Sequence, residues 1–190
     1  MRRYLFEKHF GSILNVTVII FALLLSPSCH NRKGGEQAET DVAEQYHTID
    51  SEILFDAHKE AMRKEKIQIN DFIERYNWDM LESPTGLRYM IYKHGNGRQV
   101  LKNDIVVLDY TVKFLNGQLV YSSENDGVKI FQLSHSDETS GLEEGILMLH
   151  VGDKARFIVP SYLAYGVTGD LKKISTNNTL VYEIQLTDIK

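Results

Sequence analysis

The 190-residue chain has a single cysteine, Cys29, and so no internal disulfide; any folded domain it carries must rest on its apolar core alone. It has no basic stripe with interleaved aromatic residues. Asp and Glu (26) outnumber Lys and Arg (21), for a formal charge of −5, which argues against nucleic acid as a partner. The seven histidines, at positions 9, 30, 47, 58, 94, 135 and 150, lack the close spacing of a zinc site and have no second cysteine beside them, so neither a metal nor another cofactor is expected. His135, Ser136 and Asp137 are consecutive, and neighbours on an extended segment point apart, which excludes a catalytic triad made of them. Gly95-Asn96-Gly97 lacks the third glycine and the following helix of a dinucleotide fingerprint and reads as a turn. There is no internal repeat and no low-complexity tract.

What is present begins with a targeting pattern over residues 1–28. Arg2, Arg3 and Lys8 precede an apolar run from Ile13 to Leu25 that is too short to be read as a membrane span. Ser26 and Ser28 stand just before Cys29, an arrangement that resembles the signal of a bacterial lipoprotein cleaved and acylated at that cysteine. Ser26 occupies a position where such signals carry an apolar residue, so an uncleaved anchor or a plain secretory signal remain the alternatives. Cleavage would leave 18 basic against 25 acidic residues, a charge of −7, on a protein held to a bacterial envelope membrane through a lipid at Cys29 and facing the periplasm or the surface.

Residues 29–44 are polar, contain Gly34-Gly35 and read as a flexible tether. Over residues 45–82 the pattern becomes helical: Ile49, Ile53, Ala57 and Ala61 are four apart, and Met62, Ile69, Phe72, Ile73 and Tyr76 continue the stripe. This amphipathic segment, one helix or two, packs either against its own domain or against a second copy, in a homodimer formed through residues 45–79. Ser83-Pro84-Thr85-Gly86 ends it.

From Leu87 the period is two. Val106, Leu108, Tyr110, Val112 and Phe114 alternate with polar positions, and Asn116-Gly117 supplies a hairpin turn into Leu119-Val120-Tyr121. Further strands run through Ala155, Phe157 and Val159 and through Leu180, Tyr182, Ile184 and Leu186. One short helix, Leu142 to Leu149, interrupts them, with Ser140 and Glu143 spaced as a capping box. So little helix covers an apolar sheet face only if the sheet curls round it. The expected fold of residues 83–190 is therefore α+β, a curled antiparallel sheet around one short helix, preceded by the amphipathic helical segment.

Ser83-Pro-Thr-Gly-Leu-Arg-Tyr89, Tyr110, Tyr121-Ser-Ser123, Gly141-Leu-Glu-Glu-Gly145, Val151-Gly-Asp-Lys-Ala-Arg156, Pro160-Ser-Tyr-Leu-Ala-Tyr-Gly166 and Asn178-Thr-Leu-Val-Tyr182 occur in the order and approximate spacing of an FKBP domain, which this region resembles over about 105 residues. The cysteine, the helix-rich preface and the Tyr-Ser-Ser strand also resemble the gliding-motility-associated lipoproteins of that family. The resemblance implies a peptidyl-prolyl cis-trans isomerase that assists folding of exported envelope proteins by binding their proline-containing segments. It puts Tyr110, Tyr165 and Tyr182 in the catalytic cradle, with Tyr165 donating its hydroxyl to a substrate carbonyl. Val120, Tyr121, Ile130, Phe131, Leu142 and Ile174 would line the substrate site, and the backbone N–H near Thr139 would hold the other end of the peptide. From periodicity alone the same aromatics read as core rather than as a site, and only the resemblance reverses that reading. The chain departs from the family in carrying Tyr121 where an aspartate is usual, Leu142 where a tryptophan is usual, and a loop over residues 169–178 without the usual prolines. These departures support an alternative, a chaperone or adaptor lipoprotein of the same fold with weak or no isomerase activity, or a structural component of a gliding or surface machine.

Overall fold

Asn77 stops the first helix. In the computed structural model, which describes residues 33–190 and their side chains from residue 52 onward, α1 runs Lys33–Tyr76. It closes with Asn77 in the left-handed region (φ 51°), the Asn77 amide on the Glu74 carbonyl and the Trp78 amide on the Ile73 carbonyl. That pair of bonds satisfies the carbonyls a helix end leaves open, and asparagine tolerates the required backbone better than most residues. From Lys33, where the described residues start, the helix is single and runs through the stretch read as a tether: Glu36-Gln37-Ala38-Glu39 and Ala43-Glu44-Gln45 are good helix formers, and they carry Gly34-Gly35 with them. The targeting segment and Cys29 lie outside the described residues. Among the described residues no helix is long and apolar enough to cross a membrane.

The chain divides within α1 into two units, 1–54 and 55–190, and the sheet, core and cleft belong to the second. Its strands are β1 (Leu81–Glu82), β2 (Arg88–Lys93), β3 (Ile105–Phe114), β4 (Leu119–Ser122), β5 (Lys129–Gln132), β6 (Lys154–Val159) and β7 (Leu180–Ile189). All pair antiparallel in the order β1-β2-β6-β7-β3-β4, and β5 also pairs with β3. β3 is long enough to hold both edge partners: β5 lies along residues 105–108 and β4 along 111–113. The one-turn helix α2 (Ser123–Asp126) fills the break between them, its first turn capped by the Ser122 hydroxyl, which accepts from the Asn125 amide. The Tyr110 amide, at the same break, donates to Ser123 Oγ at 3.3 Å. A sheet whose edge splits in this way curls, and α3 (Ser140–Ile146) sits in the hollow.

The spacing of the Gly-x-Glu-Glu-Gly segment has a steric cause. A Cβ on Gly145 would lie 2.7 Å from the Phe157 ring, and one on Gly141 2.5 Å from Val159 Cγ1, so only glycine lets α3 come this close to β6. Phe157, Leu87, Leu108, Leu142, Ile146, Leu149, Leu180 and Leu186 are all buried around that contact. The expected capping box is absent. Thr139 is the N-cap and makes no side-chain capping bond; Ser140 Oγ donates to the Leu163 carbonyl, and Glu143 accepts from Ser134 N and Ser136 Oγ. Glu143 thus ties down the preceding loop rather than the helix end.

The amphipathic stripe of α1 is used only in part. Ile69 and Phe72 are buried against Ile158 and Val181 on the outer face of the sheet, with Ile73 and Trp78 beside them. Arg156 lies between the Trp78 and Tyr92 rings, 4.7 and 4.6 Å from their centroids, and bonds Glu183. Ile53, Ala57, Ala61 and Met62, earlier in the stripe, are exposed.

Candidate functional site

The alternation of β3 sends Tyr110 inward with Val106, Leu108 and Val112, and β7 does the same for Tyr182, which stands between Val112 on one side and Phe157 on the other. Val120 of β4, Leu142 of α3 and Ile174 of the β6–β7 connection are buried in the same cluster as these two phenols. Phe131, Tyr121 and Tyr165 are half-buried around it. Thr139 is buried at the start of α3, where its carbonyl accepts from the Leu142 and Glu143 amides. Of the side chains expected at the site, Ile130 alone stands apart. Residues 129 and 131 face inward on β5 whereas Ile130 faces solvent, because neighbours on a strand point to opposite faces.

The position beside Phe131 belongs instead to Lys129. Its Nζ lies 5.3 Å from the Tyr110 ring centroid and 2.5 Å from Glu138 Oε1. Glu138 Oε2 is buried with no partner among the described residues, a polar atom enclosed behind this wall of the cleft. Strict period-two reading would have found Lys129.

The opposite wall is the connection from Gly169 to Asn178. Asp170 caps its bend, accepting on Oδ1 from the Lys172 and Ile174 amides (2.9 and 2.7 Å) and on Oδ2 from the Tyr121 hydroxyl (2.5 Å). Lys173 reaches the same strand, with Nζ 3.2 Å from the Val120 carbonyl, 4.5 Å from the Tyr121 ring centroid and 3.8 Å from Asp126. The loop is therefore clipped to β4 through the residue that stands where the family usually has an aspartate. A carboxylate is present at this rim, but it comes from the loop.

The electrostatics keep the phenols of Tyr110, Tyr121, Tyr165 and Tyr182 protonated. Burial, followed by the carboxylates of Glu138 and Asp170, pushes Tyr165 up to about 12. Burial and the bond to Asp170 push Tyr121 up to about 12. Burial raises Tyr182 far beyond the usual tyrosine range and, with Asp126 and Glu138 nearby, raises Tyr110 as well. Burial opposes ionisation of Asp170, but the Tyr121 hydroxyl and the amides of Ile174, Lys172 and Lys173 outweigh it and hold the carboxyl below its ordinary value. The arrangement offers apolar aromatic walls and hydroxyl donors, with no nucleophile paired to a base. It suits a reaction that makes and breaks no covalent bond.

A curled antiparallel sheet closed on one short helix, with aromatic side chains meeting at its split edge, is the FKBP-like fold, and comparisons with known proteins agree. Residues 96–187 match the family model described as FKBP-type peptidyl-prolyl cis-trans isomerase. The match lies within the sheet-and-cleft domain, which has the fold of that family. It is 40% identical over 106 residues to the probable FKBP-type peptidyl-prolyl cis-trans isomerase FkpA of Neisseria meningitidis, covering 55% of this chain and 38% of that one. It is 37% identical over 91 residues to FK506-binding protein 2 of Kluyveromyces lactis, covering 47% and 65%. The crystal structure of AtFKBP13 superposes with a TM-score of 0.55 at 25% identity, covering 59% of this chain and 99% of that one. A peptidyl-prolyl cis-trans isomerase from Pseudomonas syringae superposes at 0.60, with 23% identity over 70% of this chain and 95% of that one, a likeness of fold. The chain spans between 38% and 53% of the length of the bacterial relatives it matches.

Proposed function

We propose that the protein is a peptidyl-prolyl cis-trans isomerase that acts on proline-containing segments of exported proteins in a bacterial envelope, held to the membrane by a lipid on Cys29. The observation that carries this reading is the convergence of Tyr110, Tyr182, Val120, Leu142 and Ile174 into one buried apolar cluster rimmed by Phe131, Tyr121 and Tyr165. Rotation about an X-Pro bond faces a barrier of about 20 kcal/mol set by amide resonance. The twisted amide has less charge separation than the planar one, so a dry aromatic cradle favours it, and catalysis consists of that preference. Tyr165, its hydroxyl protonated throughout the neutral range, donates to the substrate carbonyl, and the backbone near Thr139 holds the other end of the peptide. Asp170, Lys173 and the Lys129–Glu138 pair hold the walls.

A second reading is favoured by the exposed apolar residues early in the α1 stripe, among them Ile53 at 61% exposure and Met62 at 39%. Such a face suits a chaperone or adaptor that grips unfolded clients, or a second copy of the chain bound through residues 45–79, within a gliding or surface machine. A refolding assay separates the readings. With a client whose slow phase is limited by an X-Pro bond, lasting tens to hundreds of seconds, the isomerase shortens that phase at substoichiometric concentration. Suppressed aggregation with an unchanged slow phase would favour the adaptor.

A further inference from the structure

The segment from Ser161 to Thr179 carries Tyr165, Asp170 and Ile174, and it holds conformations that do not persist without support. Gly166, Gly169, Leu171 and Asn177 all have positive φ, which asparagine and glycine tolerate but which is costly for Leu171. Leu171 is 90% exposed, so its own side chain does little to hold the loop. The neck of the segment is closed by the Asn177 amide on the Gly166 carbonyl, at 2.7 Å.

One side chain outside the family-matched residues reaches both ends of this segment. Glu65 of α1 accepts on Oε1 from the Ser161 amide (2.6 Å) and from Thr179 Oγ1 (2.5 Å), and on Oε2 from Ser161 Oγ (3.0 Å). Ser161 and Thr179 are both buried and Glu65 is half-buried. These residues are 96 and 114 positions from Glu65 in the chain, so the contact is a product of helix docking rather than of local turn chemistry. Docking itself has a separate basis, the packing of Ile69 and Phe72 on Ile158 and Val181.

We infer that Glu65 is a positioning residue of the cleft: it clamps the two ends of the Ser161–Thr179 segment and so makes α1 part of the machinery that places Tyr165 and Ile174. The carboxylate does this by hydrogen bonding and not by charge alone. Oε1 receives the bonds from both ends, and a glutamine with its carbonyl oxygen in that place makes the same two. The proposal rests on the isomerase reading for its consequence to the rate. Its consequence to the loop is independent of that reading.

The test uses the whole chain and three variants, Glu65→Ala, Glu65→Gln and Thr179→Val. Amide hydrogen exchange is read at Gly166, Gly169 and Asn177, with β3 and β7 amides as reference. Trp78, the only tryptophan, reports on helix docking by its emission. In Glu65→Ala the loop amides exchange about ten- to a hundredfold faster, the reference amides and Trp78 emission stay as in the parent, and kcat/KM on an X-Pro peptide falls by about tenfold. Glu65→Gln stays close to the parent. Thr179→Val, which leaves the helix contact at Ser161 intact, loosens Asn177 more than Gly166. Faster loop exchange in a protein that never catalyses would uphold the clamp while removing the isomerase reading. Unchanged loop exchange in Glu65→Ala, or faster exchange only alongside β3, β7 and Trp78, would overturn the clamp.

Discussion

An Asp170→Ala variant is expected to keep its fold and lose most of its catalytic efficiency. The carboxylate accepts three bonds, from the Tyr121 hydroxyl and from the Lys172 and Ile174 amides, and alanine strands all three donors. A hydrogen bond to a charged group contributes about 1.5–3 kcal/mol, and for this half-exposed carboxylate the lower end applies. Since about 1.4 kcal/mol corresponds to a tenfold change in rate, kcat/KM should fall by about tenfold or more as Ile174 leaves the cleft and the loop detaches from β4. Ile174 belongs to the buried cluster, so stability should fall by about 1–3 kcal/mol in urea unfolding while the strands and α3 stay folded. Tyr121→Asp, which restores the family's usual acid, is expected to lower the rate as well: it removes the hydroxyl that Asp170 accepts from and sets a second carboxylate near the first. The sign of the pH dependence follows from the lowered pKa of Asp170. The clip is complete above the ordinary carboxylate value of 3.8 and is lost only as the pH falls through the lower value in the folded protein. A Tyr121→Asp protein faster than its parent, or an Asp170→Ala protein with unchanged kcat/KM, would show that the loop clip does not shape the cleft.

Phe157→Ala carries the largest expected cost in stability. The ring is fully buried, pairs across β7 with Tyr182 and touches the backbone of α3 at Gly145, which has no Cβ to fill the space left behind. A Phe-to-Ala change in such a core costs about 3–5 kcal/mol, transfer and cavity terms together. Against a typical total of about 5–15 kcal/mol, this is enough to unfold much of a weakly stable chain, and no disulfide offsets it. Urea unfolding followed by Trp78 emission and circular dichroism measures the loss. A shift below about 1 kcal/mol would mean that α3 can collapse onto β6 despite the glycines.

The fold was readable in the chain wherever the physics is local. Val106, Leu108, Tyr110 and Val112 alternate because one face of β3 is buried, and Asn116-Gly117 marks the turn because Gly117 adopts φ 88°. α1 ends at Tyr76, short of the boundary expected at residue 82, because Asn77 caps it, and it takes in Gly34-Gly35 because the alanines and glutamates after them favour helix. The aromatic positions of the candidate site followed from the family pattern. Its polar frame did not. The Tyr121–Asp170 bond joins residues 49 apart and the Glu65 bonds join residues 96 and 114 apart, distances over which no periodicity carries information. Lys129 is legible in the chain, since a strand sends Ile130 and Phe131 to opposite faces and puts residue 129 on the face of Phe131.

In the proposed function the cluster around Tyr110 and Tyr182 lowers the barrier to X-Pro rotation. The most direct test is the cis-to-trans rate of a short X-Pro peptide with the purified protein, beside Tyr110→Ala and Tyr165→Phe. The expected result is acceleration by the parent that falls about tenfold in Tyr165→Phe, which loses one hydroxyl donor, and further in Tyr110→Ala, which opens the cradle. A folded parent that leaves the peptide at its uncatalysed rate, or an acceleration that both variants retain in full, would contradict the claim.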